Sequence, residues 1–206
     1  GGLACKAIYD LYQSGGVAAL EGLNGNFALV VYDRSAGVCH LLTDRCGMSL
    51  AYHRTPIEQA LVFCSHPDVL ASVVGEAGNL DLTSLAGFLS TGHLTFPYTY
   101  FHNLRGLPTG CTHTFGLRDG YFVYQTHRRF FDFPFHIDER ESEADLARQL
   151  AAAFAQAVAR RTLPLLGRTA VGLSGGLDSR AILSTCTRPS EVLAFTLYDD
   201  DNTEIA

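Results

Sequence analysis

The residues best suited to chemistry lie in one short run, Ser174-Gly175-Gly176-Leu177-Asp178-Ser179. Glycines carry no Cβ, so the oxygens of an anion can approach the backbone N–H groups, and a helix starting just after them would add its unsatisfied donors and positive dipole end. Ser174 and Ser179 can donate hydroxyl hydrogen bonds to the same oxygens. Asp178 would repel a bare phosphate; its place beside the loop makes sense as a ligand of a Mg²⁺ that bridges to a polyphosphate.

Three chemistries compete for this run. A Walker P-loop is excluded, because it needs a lysine after its glycines and the only lysine of the chain is Lys6. Gly172-Leu173-Ser174-Gly175-Gly176 also fits G-x-S-x-G, the nucleophile elbow of serine hydrolases, but an elbow needs a histidine downstream and none of the eight histidines follows His136. The third option is a plain glycine turn, with Asp178 or Ser179 capping a helix.

The elements that must hold this loop can be read on either side of it. Ala170, Val171 and Leu173 form an apolar run suited to a buried strand, and Arg180-Ala181-Ile182-Leu183 has helical character. Glu191–Tyr198 predicts a second strand, parallel to the first and reached by a right-handed crossover. Ahead of the motif, a helix is expected from Ser142 to Arg161, opened by Ser142-x-x-Asp145 and carrying Leu146, Leu150, Phe154, Ala157 and Val158 on one face. The polar, acidic stretch between Pro134 and Glu143 marks a domain boundary, which divides the chain into 1–135 and 136–206.

The first domain opens with an amphipathic helix from Leu3 to Tyr12, stopped by Gly15-Gly16, and a short helix from Val17 to Leu23. Asn26–Asp33 and Val38–Asp44 read as a hairpin, Leu50–Arg54 and Leu61–Ser65 as further strands, and His66-Pro67-Asp68 as the start of a short helix. Leu82, Leu85, Phe88 and Leu89 mark a helix face that Asp81 or Thr83 can cap. Thr91–Gly110 is rich in aromatics, Gly and Pro. Cys111–Leu117 and Tyr121–Thr126 flank Arg118-Asp119-Gly120, a hairpin turn with D-G at its centre.

Bulk properties exclude several classes. The chain has 206 residues, 47% of them hydrophobic, and a formal net charge of −6, which argues against a nucleic-acid surface. No apolar run is long enough for a membrane-spanning helix, and the first residues lack the order of a signal peptide. Cys5, Cys39, Cys46, Cys64, Cys111 and Cys186 show no metal-ligand spacing and read as buried reduced thiols, which implies a cytoplasmic location. Cys5 in particular reads as buried and not as a nucleophile, and His53, His66 and His93 read as ordinary surface or core histidines. The chain begins without methionine and stops soon after the motif, as a fragment would.

Ser174-Gly175-Gly176-Leu177-Asp178-Ser179 resembles the pyrophosphate-binding loop of the N-type ATP pyrophosphatases. Leu23-Asn24-Gly25-Asn26-Phe27-Ala28, Asp33-Arg34, Asp44-Arg45-Cys46-Gly47, Ala51-Tyr52 and Phe63-Cys64-Ser65 resemble, in order and spacing, the glutamine amidotransferase domain of asparagine synthetases. Leu107-Pro108-Thr109-Gly110 resembles that family's P-P-G turn, and Phe130-Phe131-Asp132-Phe133 the aromatic stretch that leaves the domain. The resemblance implies an α/β fold: an α+β amidotransferase-like sheet layer over 1–135, followed over 136–206 by the start of a Rossmann-like parallel α/β ATP pyrophosphatase domain.

It also implies an activity. In this family glutamine is hydrolysed by an N-terminal cysteine, a carboxylate is adenylated by ATP with release of pyrophosphate, and ammonia displaces AMP to form an amide. Carried over residue by residue, Ser174, Gly175, Gly176, Asp178 and Ser179 hold ATP, with Asp178 on Mg²⁺. Leu173 and Leu197 are candidates to pack against adenine, with ordinary core as the competing role, and Glu204 falls near an E-x-A position. The partners are ATP, a carboxylate such as aspartate, and glutamine or ammonia, with a homodimer as one assembly. No catalytic residue of the glutaminase carries over: the nucleophile lies ahead of the chain, and the acid that holds the glutamine amine falls at Ala4. Asp44 and Arg45 suit a structural ion pair as well as a catalytic role. Ala4, and His66 in place of the usual Glu, leave room for relatives that close a ring, the β-lactam synthetases and lasso-type cyclases, and outside the class for a non-catalytic binding module. Lacking later strands, this chain would itself be inactive and would leave an apolar sheet edge open.

Overall fold

A computed structural model describes residues 2–55, 62–133, 135 and 141–197. The chain divides into two compact units, Gly1–Pro134 and Phe135–Ala206.

The first unit opens on α1 (Gly2–Glu21), which Gly15 and Gly16 break into two helical pieces. Gly16 takes φ 64° and ψ −159°, a conformation that side chains resist, so this pair stops the first piece as its composition suggests. A four-stranded antiparallel sheet follows in the order β1 (Ala28–Asp33), β2 (Val38–Thr43), β6 (Cys111–Arg118), β7 (Tyr121–Arg129). Asp33 ties the first turn by accepting from the Ser35 hydroxyl at 2.6 Å and the Ala36 N–H at 2.9 Å. Asp119 and Gly120 both have positive φ, 50° and 84°, as the two central residues of a tight D-G hairpin must.

The inner strand β2 is covered on both faces, which accounts for its nearly unbroken apolar run. On one face Cys39, Leu41 and Phe115 pack with Ala51 and Leu107. On the other, the fully buried Leu20 stands at the end of α1, and Glu21 accepts a hydrogen bond from Thr112 at 2.8 Å and pairs with Arg128. A three-stranded sheet, ordered β4 (Phe63–Cys64), β3 (Tyr52–Arg54), β5 (Leu104–Gly106), holds a second cluster of Leu70, Ala71, Phe101 and Leu104 under α2 (Pro67–Val73). Within the stretch Thr91–Gly110, β5 is a strand that the composition alone does not suggest; it is three residues long and pairs with β3 across some fifty residues of chain. Of the two capping candidates for α3 (Leu82–Thr91), Asp81 is the one used.

In the second unit α4 (Glu143–Arg161) starts where Ser142 accepts from the Asp145 N–H. Strand β8 (Thr169–Gly172), helix α5 (Leu177–Thr185) and strand β9 (Val192–Phe195) form a strand–helix–strand passage with β8 and β9 parallel, Val171 opposite Ala194. The apolar face read along α4 is buried only at Val158, while Leu146 and Leu150 are exposed; on α3, Leu82 and Leu89 are likewise exposed.

Two expectations fail. Cys5 and Cys46 are exposed and Cys64 is half-buried; only Cys39, Cys111 and Cys186 are the buried thiols expected. Cys5 lies on the first piece of α1, while the fully buried residue of that helix, Leu20, is at its far end. The suggested Asp44–Arg45 ion pair does not form, for the reason given below. Tyr198, Glu204 and residues 136–140 lie outside the described residues.

Candidate functional site

The loop between β8 and α5 is braced from within. Leu173 donates its N–H to the Phe195 carbonyl at 2.7 Å, and the Thr196 hydroxyl donates to the Leu173 carbonyl at 2.7 Å, so the strand pairing reaches the loop's first residue. The Ser179 hydroxyl accepts from the Ser174 N–H at 3.1 Å and lies 3.0 Å from the Ser174 hydroxyl. It is also 3.2 Å from the Ser174 carbonyl and 3.3 Å from the Gly176 carbonyl. The Gly176 N–H donates to the Ser174 hydroxyl at 3.2 Å. These two serines therefore tie the bend together across its width, and a Cβ on Gly176 would come 3.1 Å from the Ser174 hydroxyl.

Donors remain for a ligand. Leu177, Asp178 and Ser179 form the first turn of α5, where backbone N–H groups have no intrahelical acceptor. Gly175, Gly176 and Asp178 are exposed, and among the described residues no cation pairs with the Asp178 carboxylate. Leu173 is half-buried, whereas Leu197 is 82% exposed. The Ser174 backbone is not strained: among the described residues Asp119 alone combines a side chain with positive φ. A nucleophile elbow depends on a sharp, strained turn at its serine, so the hydrolase alternative loses its geometric support.

The first unit carries two polar arrangements that sequence reasoning missed. Asp44, 1% exposed, has its carboxylate wrapped by four backbone donors: Phe27 at 3.2 Å, Cys46 at 2.9 Å, Met48 at 3.1 Å and Ser49 at 2.9 Å. Burial works against ionisation here, but those N–H groups outweigh it and hold the carboxyl below its ordinary range. Arg45 turns elsewhere, its guanidinium 5.1 Å from the Phe131 ring centroid. Asp44 thus shapes the turn 44–49 and is neither half of an ion pair nor an exposed acid.

The second arrangement is His113, 6% exposed, with neither ring nitrogen hydrogen-bonded. Its ring stacks on His127 with centroids 5.7 Å apart. Burial, then the neighbouring His127 and His53, lower its pKa from 6.5 to about 4, so it is a neutral imidazole at neutral pH. The signal was present in the alternation of β6, where Cys111, His113 and Phe115 share the inward face. Among the described residues no three His, Cys, Asp or Glu side chains are grouped to hold a metal, and no helix is long and apolar enough to cross a membrane.

A search of curated proteins finds no match to this chain. The family model for a glutamine amidotransferase domain matches residues 4–125, from α1 into β7. That span is more than half of the sequence, and by it the chain belongs to the glutamine amidotransferase domain family.

Proposed function

We propose that this chain is part of an ATP-dependent, amide-forming ligase of the asparagine synthetase type. In that reaction a carboxylate attacks the α-phosphorus of ATP, pyrophosphate leaves, and ammonia released from glutamine displaces AMP. A carboxylate resists amines until one oxygen belongs to a good leaving group, so the enzyme must stabilise the charge gathering on the departing pyrophosphate. The observation that carries the reading is the 173–179 bend: an open, serine-braced loop between a parallel strand and a helix N-terminus, in a chain whose first unit is a glutamine amidotransferase domain.

Free N–H groups at the start of α5, with that of Gly175, suit the terminal phosphates of ATP, and Gly176 lets the oxygens approach the backbone. Ser174 and Ser179 fix the loop width and can share their hydroxyls with a ligand. The exposed Asp178 carboxylate would complete the shell of a Mg²⁺ whose remaining ligands are phosphate oxygens and water. Leu173 and the exposed Leu197 offer apolar surface to the base. The acyl substrate is a carboxylate such as aspartate, and ammonia is the acyl acceptor.

Calorimetric titration of the full chain with ATP, with and without Mg²⁺, tests this. Binding that requires Mg²⁺ and weakens by about tenfold or more in Asp178→Ala is expected. Absence of binding, or binding indifferent to Asp178, would contradict it. One observation favours a ring-closing relative: the position of the glutamine-holding acid is the exposed Ala4. A glutaminase assay on the intact parent separates the two, since a ring-closing enzyme releases no glutamate.

A further inference from the structure

Away from the nucleotide loop, the first turns of α3 and the loop 95–105 enclose a hollow of about 610 Å³, within the range of small-molecule sites. It is lined by fixed charges of both signs, Asp81 and Arg105, together with Thr83, Ser84, Tyr98 and His102. Each charge is held by its own surroundings. Asp81 accepts from the Thr83 and Ser84 N–H groups through Oδ1, both at 3.1 Å, and its carboxylate is further supported by the Ser84 hydroxyl and by the charge of Arg105 across the hollow. Those helix N–H groups are thereby consumed by the cap, so the hollow is not an anion site of the helix end.

Arg105 is anchored through Nη1, which donates to the carbonyls of His102 and Leu104, each at 2.8 Å, and of Phe101 at 3.4 Å. Its guanidinium stacks 4.7 Å from the Tyr98 ring centroid, which fixes the plane of the fork. Nε and Nη2 have no hydrogen-bond partner among the described residues. Although both groups line one hollow, no ion pair within 4.0 Å joins Asp81 to Arg105. The walls keep them apart: the Asp81 N–H is bonded to the Tyr100 carbonyl at 2.8 Å, and Leu80 bridges to Phe101.

A preorganised carboxylate and guanidinium that face one space without closing on each other complement a molecule bearing both charges. We propose that this hollow binds a free α-amino acid, its carboxylate on Nε and Nη2 of Arg105 and its ammonium on Asp81. A simple carboxylic acid would meet Asp81 and a simple amine would meet Arg105, so each is rejected by one wall. The Thr83 hydroxyl and the Tyr98 ring are left for the ligand's side chain.

The test is a titration of the full chain, followed by ¹H–¹⁵N NMR, with each proteinogenic L-amino acid and with acetate and ethylammonium as single-charge probes. At least one amino acid should saturate with shifts confined to Thr83, Ser84, Tyr98 and the Arg105 Nε–H, while neither single-charge probe saturates. Asp81→Asn removes the charge but keeps a residue that caps as well; Arg105→Met removes the fork. Each should weaken binding by about tenfold or more. Should Arg105→Met fail to fold, Asp81→Asn decides alone. No saturable amino acid, affinity unchanged in Asp81→Asn, or acetate binding as tightly would overturn the proposal. Glutamine bound at a glutaminase centre, or ATP at the 173–179 loop, would be unaffected by Asp81→Asn, so this site stands or falls separately from the ligase reading.

Discussion

Replacing His113 by leucine isolates one consequence of the sandwich between the two sheets. The folded chain keeps this imidazole neutral down to about pH 4, whereas the unfolded chain protonates it near 6.5. Between those values the unfolded state binds a proton that the folded state refuses, so stability falls as pH falls, by up to about 1.4 kcal/mol per pH unit. Worked from the two values, the loss between pH 7 and pH 5 is about 2 kcal/mol, and the full loss below pH 4 about 3 kcal/mol. Burial is the larger cause of this shift, and the neighbouring His127 and His53 account for the remainder of it. His113→Leu should remove this part of the pH dependence. It should also raise stability at pH 7 by about 1 kcal/mol, since two buried nitrogens without partners disappear from the core.

Urea unfolding followed by tyrosine fluorescence suits the measurement, because every tyrosine except Tyr198 lies in the first unit. If His113→Leu lost as much stability as the parent between pH 7 and pH 5, or if NMR titration placed the His113 imidazole near 6.5, the reasoning would be refuted.

Two further substitutions probe the supports of the first unit. Asp44→Ala strips the acceptor from four N–H groups around the 44–49 turn and should cost about 3 kcal/mol, read as a lower urea midpoint at unchanged slope. A change under 1 kcal/mol would mean that those donors find water as readily. Gly110→Ala places a Cβ 2.9 Å from the Phe131 Cβ and carbonyl oxygen at a backbone φ of 60°, and should cost about 2 to 3 kcal/mol; thermal unfolding at the parent's temperature would contradict the crowding.

Much of this molecule was legible where the cause is local. Gly15-Gly16, the Asp119-Gly120 turn and the caps at Asp81 and Ser142 act on their own backbone, and each element begins or ends where its sequence says. What was hidden depends on distant partners. Strand β5 exists only because β3 lies beside it, and Asp44 gains its role from a turn that folds back upon it together with Phe27. Cys5 reads as buried from residue type, yet its place on α1, at the rim of the contact with β1, leaves it exposed. For the 173–179 loop, strand, bend and helix follow from sequence, while the mutual bracing of Ser174 and Ser179 does not, since a five-residue separation says nothing about two hydroxyls meeting.

The most direct test of the central claim uses inorganic pyrophosphate with Mg²⁺, titrated into the full chain and followed at backbone amides. If the bend after Leu173 grips the phosphate tail of a nucleotide, the N–H resonances of Gly175, Gly176, Leu177 and Asp178 shift together and saturate when Mg²⁺ is present, and Asp178→Ala weakens that binding by about tenfold or more. Amides that stay in place while ATP binds elsewhere, or that ignore pyrophosphate at every concentration, would contradict it.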